Sequence, residues 1–249
     1  MGRRGITLVE LIVVSGIIGA LVGLVVPAVT GALDLADQTA CAANLKQLGA
    51  AMSLYLADHD GRFFPLRETQ ADGILWYFGF EASGSPALGE GNRILDRTRA
   101  RLYPYLEAPE TVETCPSVPF GGPYKPKYRG RGWTYGINYS LSNHQGGGDF
   151  HWIRPVDATR TAIFADAAYV NTHQAPASPR KPMVEDWYYV QKGCRYVQFR
   201  HAGRANVLFA DWHVAAVEPA EGSFDPRLPS ARIGYFDGER VLLAPRGGP

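Results

Sequence analysis

Gly5-Ile6-Thr7-Leu8-Val9-Glu10-Leu11-Ile12-Val13-Val14-Ser15-Gly16-Ile17-Ile18-Gly19-Ala20-Leu21-Val22-Gly23-Leu24-Val25-Val26-Pro27-Ala28-Val29 is the stretch that decides the fold. From Ile6 to Val29 only Thr7, Glu10 and Ser15 carry polar side chains. At about 1.5 Å per residue this run makes a helix of roughly 36 Å, enough to cross a hydrocarbon core about 30 Å thick. Arg3 and Arg4 precede it and no comparable basic cluster follows it directly. That asymmetry places the N-terminus in the cytoplasm and the rest of the chain across the membrane. The run exceeds the apolar core of an ordinary signal peptide, roughly 7 to 15 residues, and lacks a small-x-small cleavage site at its end. A buried core helix would show a polar face, and this segment has none.

Glu10 is the chemical oddity of the span. An unpaired carboxylate at a bilayer centre costs about 2.5 to 3.5 kcal/mol or more, so such a residue is a functional candidate by default. Ser15, Gly19 and Gly23 recur every fourth residue and form a small-residue face on which a second helix can pack closely. Pro27 removes a backbone donor and is expected to kink or loosen the helix.

Beyond Pro27 the helix is expected to continue with a different character. Cys41, Leu45, Leu48, Met52 and Tyr55 fall at steps of four, three, four and three, an apolar stripe suited to packing on a domain. Asn44, Lys46, Gln47 and Ser53 lie off the stripe, and Asp58-His59-Asp60-Gly61 reads as the stop.

The N-terminal residues carry a resemblance. Gly5-Ile6-Thr7-Leu8-Val9-Glu10-Leu11 behind two arginines is similar to the processing signal of type IV prepilins and pseudopilins, with Ile6 where the family usually has Phe. The resemblance implies that a prepilin peptidase cuts between Gly5 and Ile6 and methylates the new amine. It also implies that Glu10 pairs with the amine of an adjoining subunit during filament assembly. Further along, Cys41-Ala42-Ala43-Asn44-Leu45-Lys46-Gln47-Leu48-Gly49, Asp60-Gly61-Arg62-Phe63, Tyr105-Leu106 and Cys115-Pro116-Ser117 resemble the pseudopilin-like proteins of planctomycetes and their relatives. His201 and Asp211, nine residues apart, resemble the His-x9-Asp-Gly element of one such group, with Trp212 in the place of glycine.

The rest of the 249 residues, Gly- and Pro-rich with short apolar runs, suits a small mixed sheet with long loops. Strands are expected at 133–141, 161–165, 196–199, 206–210 and 241–244. Loops are expected at 121–132, with its four basic residues, and at 146–149. Lys and Arg number 25 against 24 acidic residues, which gives no electrostatic footprint for nucleic acid. The 13 tyrosines and 5 tryptophans read chiefly as core, with a ligand-binding face as the competing use. Three cysteines leave at least one unpaired, and Cys115 with Cys194 is the pair an extracytoplasmic disulfide would join.

Few constellations suggest chemistry. Asp211 and His213 would share a strand face, with His201 brought near them by a hairpin through Ala202-Gly203-Arg204, a set able to hold a metal or to form a hydrogen-bonded cluster tying Asp211 to its partner strand. Phe164-Ala165-Asp166 echoes Phe209-Ala210-Asp211, so Asp166 and Asp211 at the ends of neighbouring strands are calcium candidates. Ser140 or Ser142 with His144 is the nearest approach to a hydrolase arrangement, outside any Gly-x-Ser-x-Gly elbow.

The sequence thus predicts an α+β chain with a long N-terminal transmembrane helix packed on a small mixed or antiparallel β-sheet domain, pilin-like in plan. Residues 1–5 are read as a cleaved leader, 6–29 as the transmembrane helix, 30–60 as its amphipathic continuation and 61–249 as the globular domain. The expected role is a non-enzymatic, cofactor-free filament subunit of a type II secretion or type IV pilus-like machine. It would sit in the inner membrane with its domain in the periplasm, and its partners would be the prepilin peptidase and other pilin subunits. The alternatives are a membrane-tethered module that binds polysaccharide or another ligand, and an anchored enzyme.

Overall fold

The computed structural model describes residues 7–118, 121–130, 132–142, 157–238, 241 and 243. The proposed cut at Gly5 and Ile6, the loop at 146–149, His144 and most of the strand expected at 241–244 lie outside these residues.

The architecture is α+β. Helix α1 runs unbroken from Leu8 to Asp58, 51 residues with Pro27 inside it, a rod of about 77 Å. Thr7 caps it: its side chain accepts the Glu10 N–H while the Glu10 carboxylate accepts the Thr7 N–H at 2.8 Å. The helix is long and apolar enough to cross a membrane. From Leu8 to Leu35 every large apolar side chain is at least 50% exposed, because nothing else among the described residues covers this half. The second half is the opposite case. Cys41, Leu45, Leu48 and Met52 are fully buried and Tyr55 nearly so, as the stripe predicts. Asn44 departs from expectation: half-buried, it donates to the Thr111 and Thr114 carbonyls and so ties the helix to the domain.

Twelve short strands follow: β1 (Arg67–Gln70), β2 (Gly73–Trp76), β3 (Gly79–Ala82), β4 (Tyr135–Asn138), β5 (Ala162–Asp166), β6 (Ala168–Asn171), β7 (Met183–Asp186), β8 (Tyr189–Val190), β9 (Val197–Gln198), β10 (Ala205–Phe209), β11 (Val214–Val217) and β12 (Ile233–Gly234). The main sheet has the order β11-β10-β5-β4-β8, antiparallel except for the parallel β4–β8 pair. A three-stranded meander (β1 to β3) and two two-stranded ribbons (β6–β7 and β9–β12) complete the domain.

Alternation along β10 explains why the sheet has two covered faces. Leu208 joins the stripe of α1 in one core, while Ala205, Val207 and Phe209 face a second core with Phe199 and Phe236. Gly49 permits the close approach: a Cβ there would lie 3.1 Å from Leu208 Cδ1. The first core is largely aromatic and centres on buried Tyr77, stacked on Phe64 and edge-on to Trp133. Its hydroxyl donates to the Tyr135 and Tyr188 carbonyls at 2.9 and 2.8 Å.

Three expectations change. The strand expected at 133–141 is cut to Tyr135–Asn138, since Tyr139–Ser142 turns into a short helix whose Ser142 hydroxyl caps the Phe64 carbonyl. The segments at 196–199 and 206–210 do not form a hairpin with each other. β9 pairs with β12, and β10 lies between β5 and β11. The basic stretch at 121–132 is pinned rather than free, because Lys125 is fully buried and bound to Glu185 at 2.8 Å.

The stripe carries the docking energy, so Leu45→Ala should cost about 2 to 5 kcal/mol through lost burial and a residual cavity. Lys46→Ala, one position away on the exposed side, should stay within about 0.5 kcal/mol. Denaturant midpoints of the detergent-solubilised variants measure both.

Candidate functional site

The tight turn 201–204 creates the site. His201 and Arg204 exchange both backbone hydrogen bonds, with Ala202 and Gly203 each at positive φ. The turn sets His201 against the end of β5, where Asp166 lies fully buried. Cys41 reaches the same point from α1, and Cys115 reaches it from the loop after the short helix Pro109–Val112. The Cys115 N–H, held by Thr134 Oγ1 at 2.7 Å, fixes that loop.

Four side chains from four distant segments therefore meet in one buried cluster, with one ligand atom from each lying within 4.8 Å of the others. Cys41 Sγ is 3.3 Å from Asp166 Oδ1, His201 Nε2 is 3.2 Å from Asp166 Oδ2, and Cys115 Sγ is 3.5 Å from His201 Nε2. Outside the cluster, Ser117 Oγ stands 3.4 Å from His201 Nδ1, and the Asn206 N–H donates to Asp166 Oδ2 at 2.7 Å.

The electrostatics are strongly perturbed. Burial pushes the Cys115 thiol up, but hydrogen bonding from Cys41, the Arg200 charge and His201 bring it down to about 5. Burial opposes charge on His201, yet Asp166 and Cys115 lift it to about 9. Burial and the neighbouring Cys115 hold the Cys41 thiol far above its ordinary value. Burial works against the Asp166 carboxylate as well, but Arg200, His201 and the Asn206 N–H keep it below the usual range. These shifts favour charge on Cys115, His201, Asp166 and Arg200 together, each group offsetting the burial of the others. A cleft of about 630 Å³ between α1 (Gly31, Asp34, Gln38) and the loops bearing Ser117, Arg200 and His201 opens beside it.

The sequence-derived candidates separate in space. β5 and β10 are antiparallel, with Ala165 opposite Val207 and Ala162 opposite Phe209. Asp166 and Asp211, each following a Phe-Ala pair, therefore fall at opposite ends of the two strands and cannot share a calcium ion. His201 pairs with Asp166, whereas Asp211 pairs with His213 at 2.5 Å in the β10–β11 turn, so the expected His201–Asp211 tie does not form. In that turn Trp212 adopts φ of 71°, a left-handed conformation that favours glycine. All three cysteines are free, and Cys115 faces Cys41 rather than Cys194, which corrects the expected bridge. The Ser142 hydroxyl is committed to the Phe64 carbonyl, and its proposed partner His144 lies outside the described residues. The glutamate and small residues of α1 remain uncovered: an added Cβ at Gly19 or Gly23 would meet nothing within 4 Å. Sequence spacing could not have joined Cys41 and Cys115 to the cluster, because no short motif links residues so far apart.

Compared with known protein families, curated proteins and solved structures, the chain matches none.

Asp211→Ala should cost under about 1 kcal/mol, since its partnership with His213 is largely solvent-exposed. Asp166→Ala should cost about 3 to 5 kcal/mol, because it strands the buried Arg200 and His201 charges. Equilibrium unfolding of both variants beside wild type measures the difference.

Proposed function

We propose that the protein is a membrane-anchored filament subunit of the pilin or pseudopilin kind, processed by a prepilin peptidase and assembled through its N-terminal helix. The observation that supports this reading is the split character of α1, with its first half wholly exposed and apolar and its second half sealed into the domain. A bilayer can cover the first half before assembly, and the same half of neighbouring subunits can cover it afterwards. The small-residue face of Ser15, Gly19 and Gly23 is open for such packing. Ser15 keeps its own hydroxyl satisfied on the Leu11 carbonyl.

Glu10 fits the same reading. Its carboxylate closes the capping box with Thr7, so the charge sits at the helix N-terminus, where the helix dipole favours it. Cleavage between Gly5 and Ile6 would set a cationic amine beside it, available to that carboxylate or to the one on the next subunit. The domain then stands on the far side of the inner membrane, and no enzymatic activity enters this role.

A tethered binding module is the second reading. It is favoured by a half-buried belt in which Tyr169, Trp187 and Tyr196 pack with centroids 4.8 and 5.0 Å apart, beside Tyr189 and Tyr139. Part-exposed aromatic clusters of this kind suit sugar rings.

Glu10→Ala separates the two. In cells carrying the peptidase, the variant should be cut and membrane-inserted like wild type while sheared filaments fall at least tenfold, about 1.4 kcal/mol or more per assembly step. No filaments from either chain favours the tethered module, and wild-type filament yield from the variant would remove Glu10 from the assembly contact.

A further inference from the structure

We propose that Cys41, Cys115, Asp166 and His201 bind one zinc ion, which clamps the anchor helix to the globular domain. The donor set is the first ground. Two thiolates, one imidazole and one carboxylate are ligands zinc accepts, and a site filled by four protein ligands with none left open is structural in type.

Geometry is the second ground. With bonds of about 2.3 Å to sulfur and about 2.0 to 2.1 Å to nitrogen and oxygen, a tetrahedral site has sulfur-to-nitrogen and sulfur-to-oxygen edges of about 3.5 Å, and a nitrogen-to-oxygen edge of about 3.3 Å. The side chains already stand at 3.5 Å for Cys115 Sγ to His201 Nε2, 3.3 Å for Cys41 Sγ to Asp166 Oδ1 and 3.2 Å for His201 Nε2 to Asp166 Oδ2. These edges use both Asp166 oxygens, and one ligand atom from each of the four residues lies within 4.8 Å of the others.

The outer groups are those a metal site uses. Ser117 Oγ stands 3.4 Å from His201 Nδ1, placed to accept an N–H there when Nε2 gives its lone pair to a metal. The Asn206 N–H holds Asp166 Oδ2 and frees Oδ1 as the ligand. Charge closes the account. Two thiolates, a carboxylate, a neutral imidazole and Zn2+ sum to one negative charge. The Arg200 guanidinium lies beside the site, its side chain 4% exposed, with Nε 3.9 Å from Asp166. Its Nε and Nη1 have no hydrogen-bond partner among the described residues, and one positive charge there balances the loaded site. Binding needs both thiols as thiolates and the imidazole neutral, so the protons these groups carry leave for solvent and no electrons move. The cleft at Ser117 and His201 gives the ion a way in.

The clamp is independent of whether the anchored chain assembles into filaments. To test it, the full-length chain is purified in detergent without chelator, its metals are counted by mass spectrometry, and its thiols are mapped after denaturation. The expected result is close to one zinc per chain with Cys41 and Cys115 both free. Cobalt exchanged into the wild-type chain should give thiolate charge-transfer bands and the intense visible bands of a tetrahedral centre. Cys115→Ser and His201→Gln should each lower zinc occupancy at least tenfold. If either variant fails to fold, the cobalt spectrum of wild type stands as the deciding measurement. A Cys41–Cys115 disulfide in the purified chain would overturn the proposal, as would free thiols with no stoichiometric metal and no cobalt spectrum.

Discussion

The structure depends on the apolar stripe of α1 from Cys41 to Tyr55 being sealed against β10 and the aromatic core. An isolated helix gains little from its own hydrogen bonds in water, so its second half is held mainly by the burial of Leu45, Leu48 and Met52. Gly49 lets Leu208 close to contact distance, and Asn44 spends its amide on two domain carbonyls. Once that half is fixed, the other half must project as a continuous rod, because Pro27 interrupts one backbone hydrogen bond without ending the helix. One element thus has two environments, and the boundary between them lies close to residue 40.

The buried cluster sits at that boundary. Cys41 is the first fully buried residue of α1, and its three neighbours come from the loop after a short helix, the end of β5 and the turn before β10. A load on the rod, whether from a bilayer or from packed neighbours, would pass into the domain at this point. Polar groups are costly in such a place unless every one is matched. Asp166 is matched by His201 and the Asn206 N–H, yet Arg200 Nε and Nη1 make no hydrogen bond among the described residues.

Much of this was legible in the sequence where the signal is local. The apolar run, the stripe at helical spacing, and the short strands near 161–165 and 206–210 follow from periodicity within one segment. What could not be read were pairings set by topology. The repeated Phe-Ala-Asp suggested two carboxylates side by side, and antiparallel pairing of β5 with β10 puts them at opposite ends. Lys125 read as a solvated loop residue, but Glu185 on a distant strand buries it. Cys115 offered Cys194 as an apparent partner, whereas the fold brings it to Cys41 and His201. Trp212 holds a left-handed backbone at a cost of about 1 to 2 kcal/mol, and its ring packs toward Gly49 of α1.

The central claim is that α1 begins, in the working protein, as the assembly helix of a processed subunit. The most direct test is the N-terminal mass of the chain recovered from membranes of cells that contain a prepilin peptidase. The account predicts a mature chain that starts at a methylated Ile6, with α1 otherwise intact. A chain that keeps Met1 in the presence of active peptidase, or one cut beyond Val29 and released from the membrane, would contradict it.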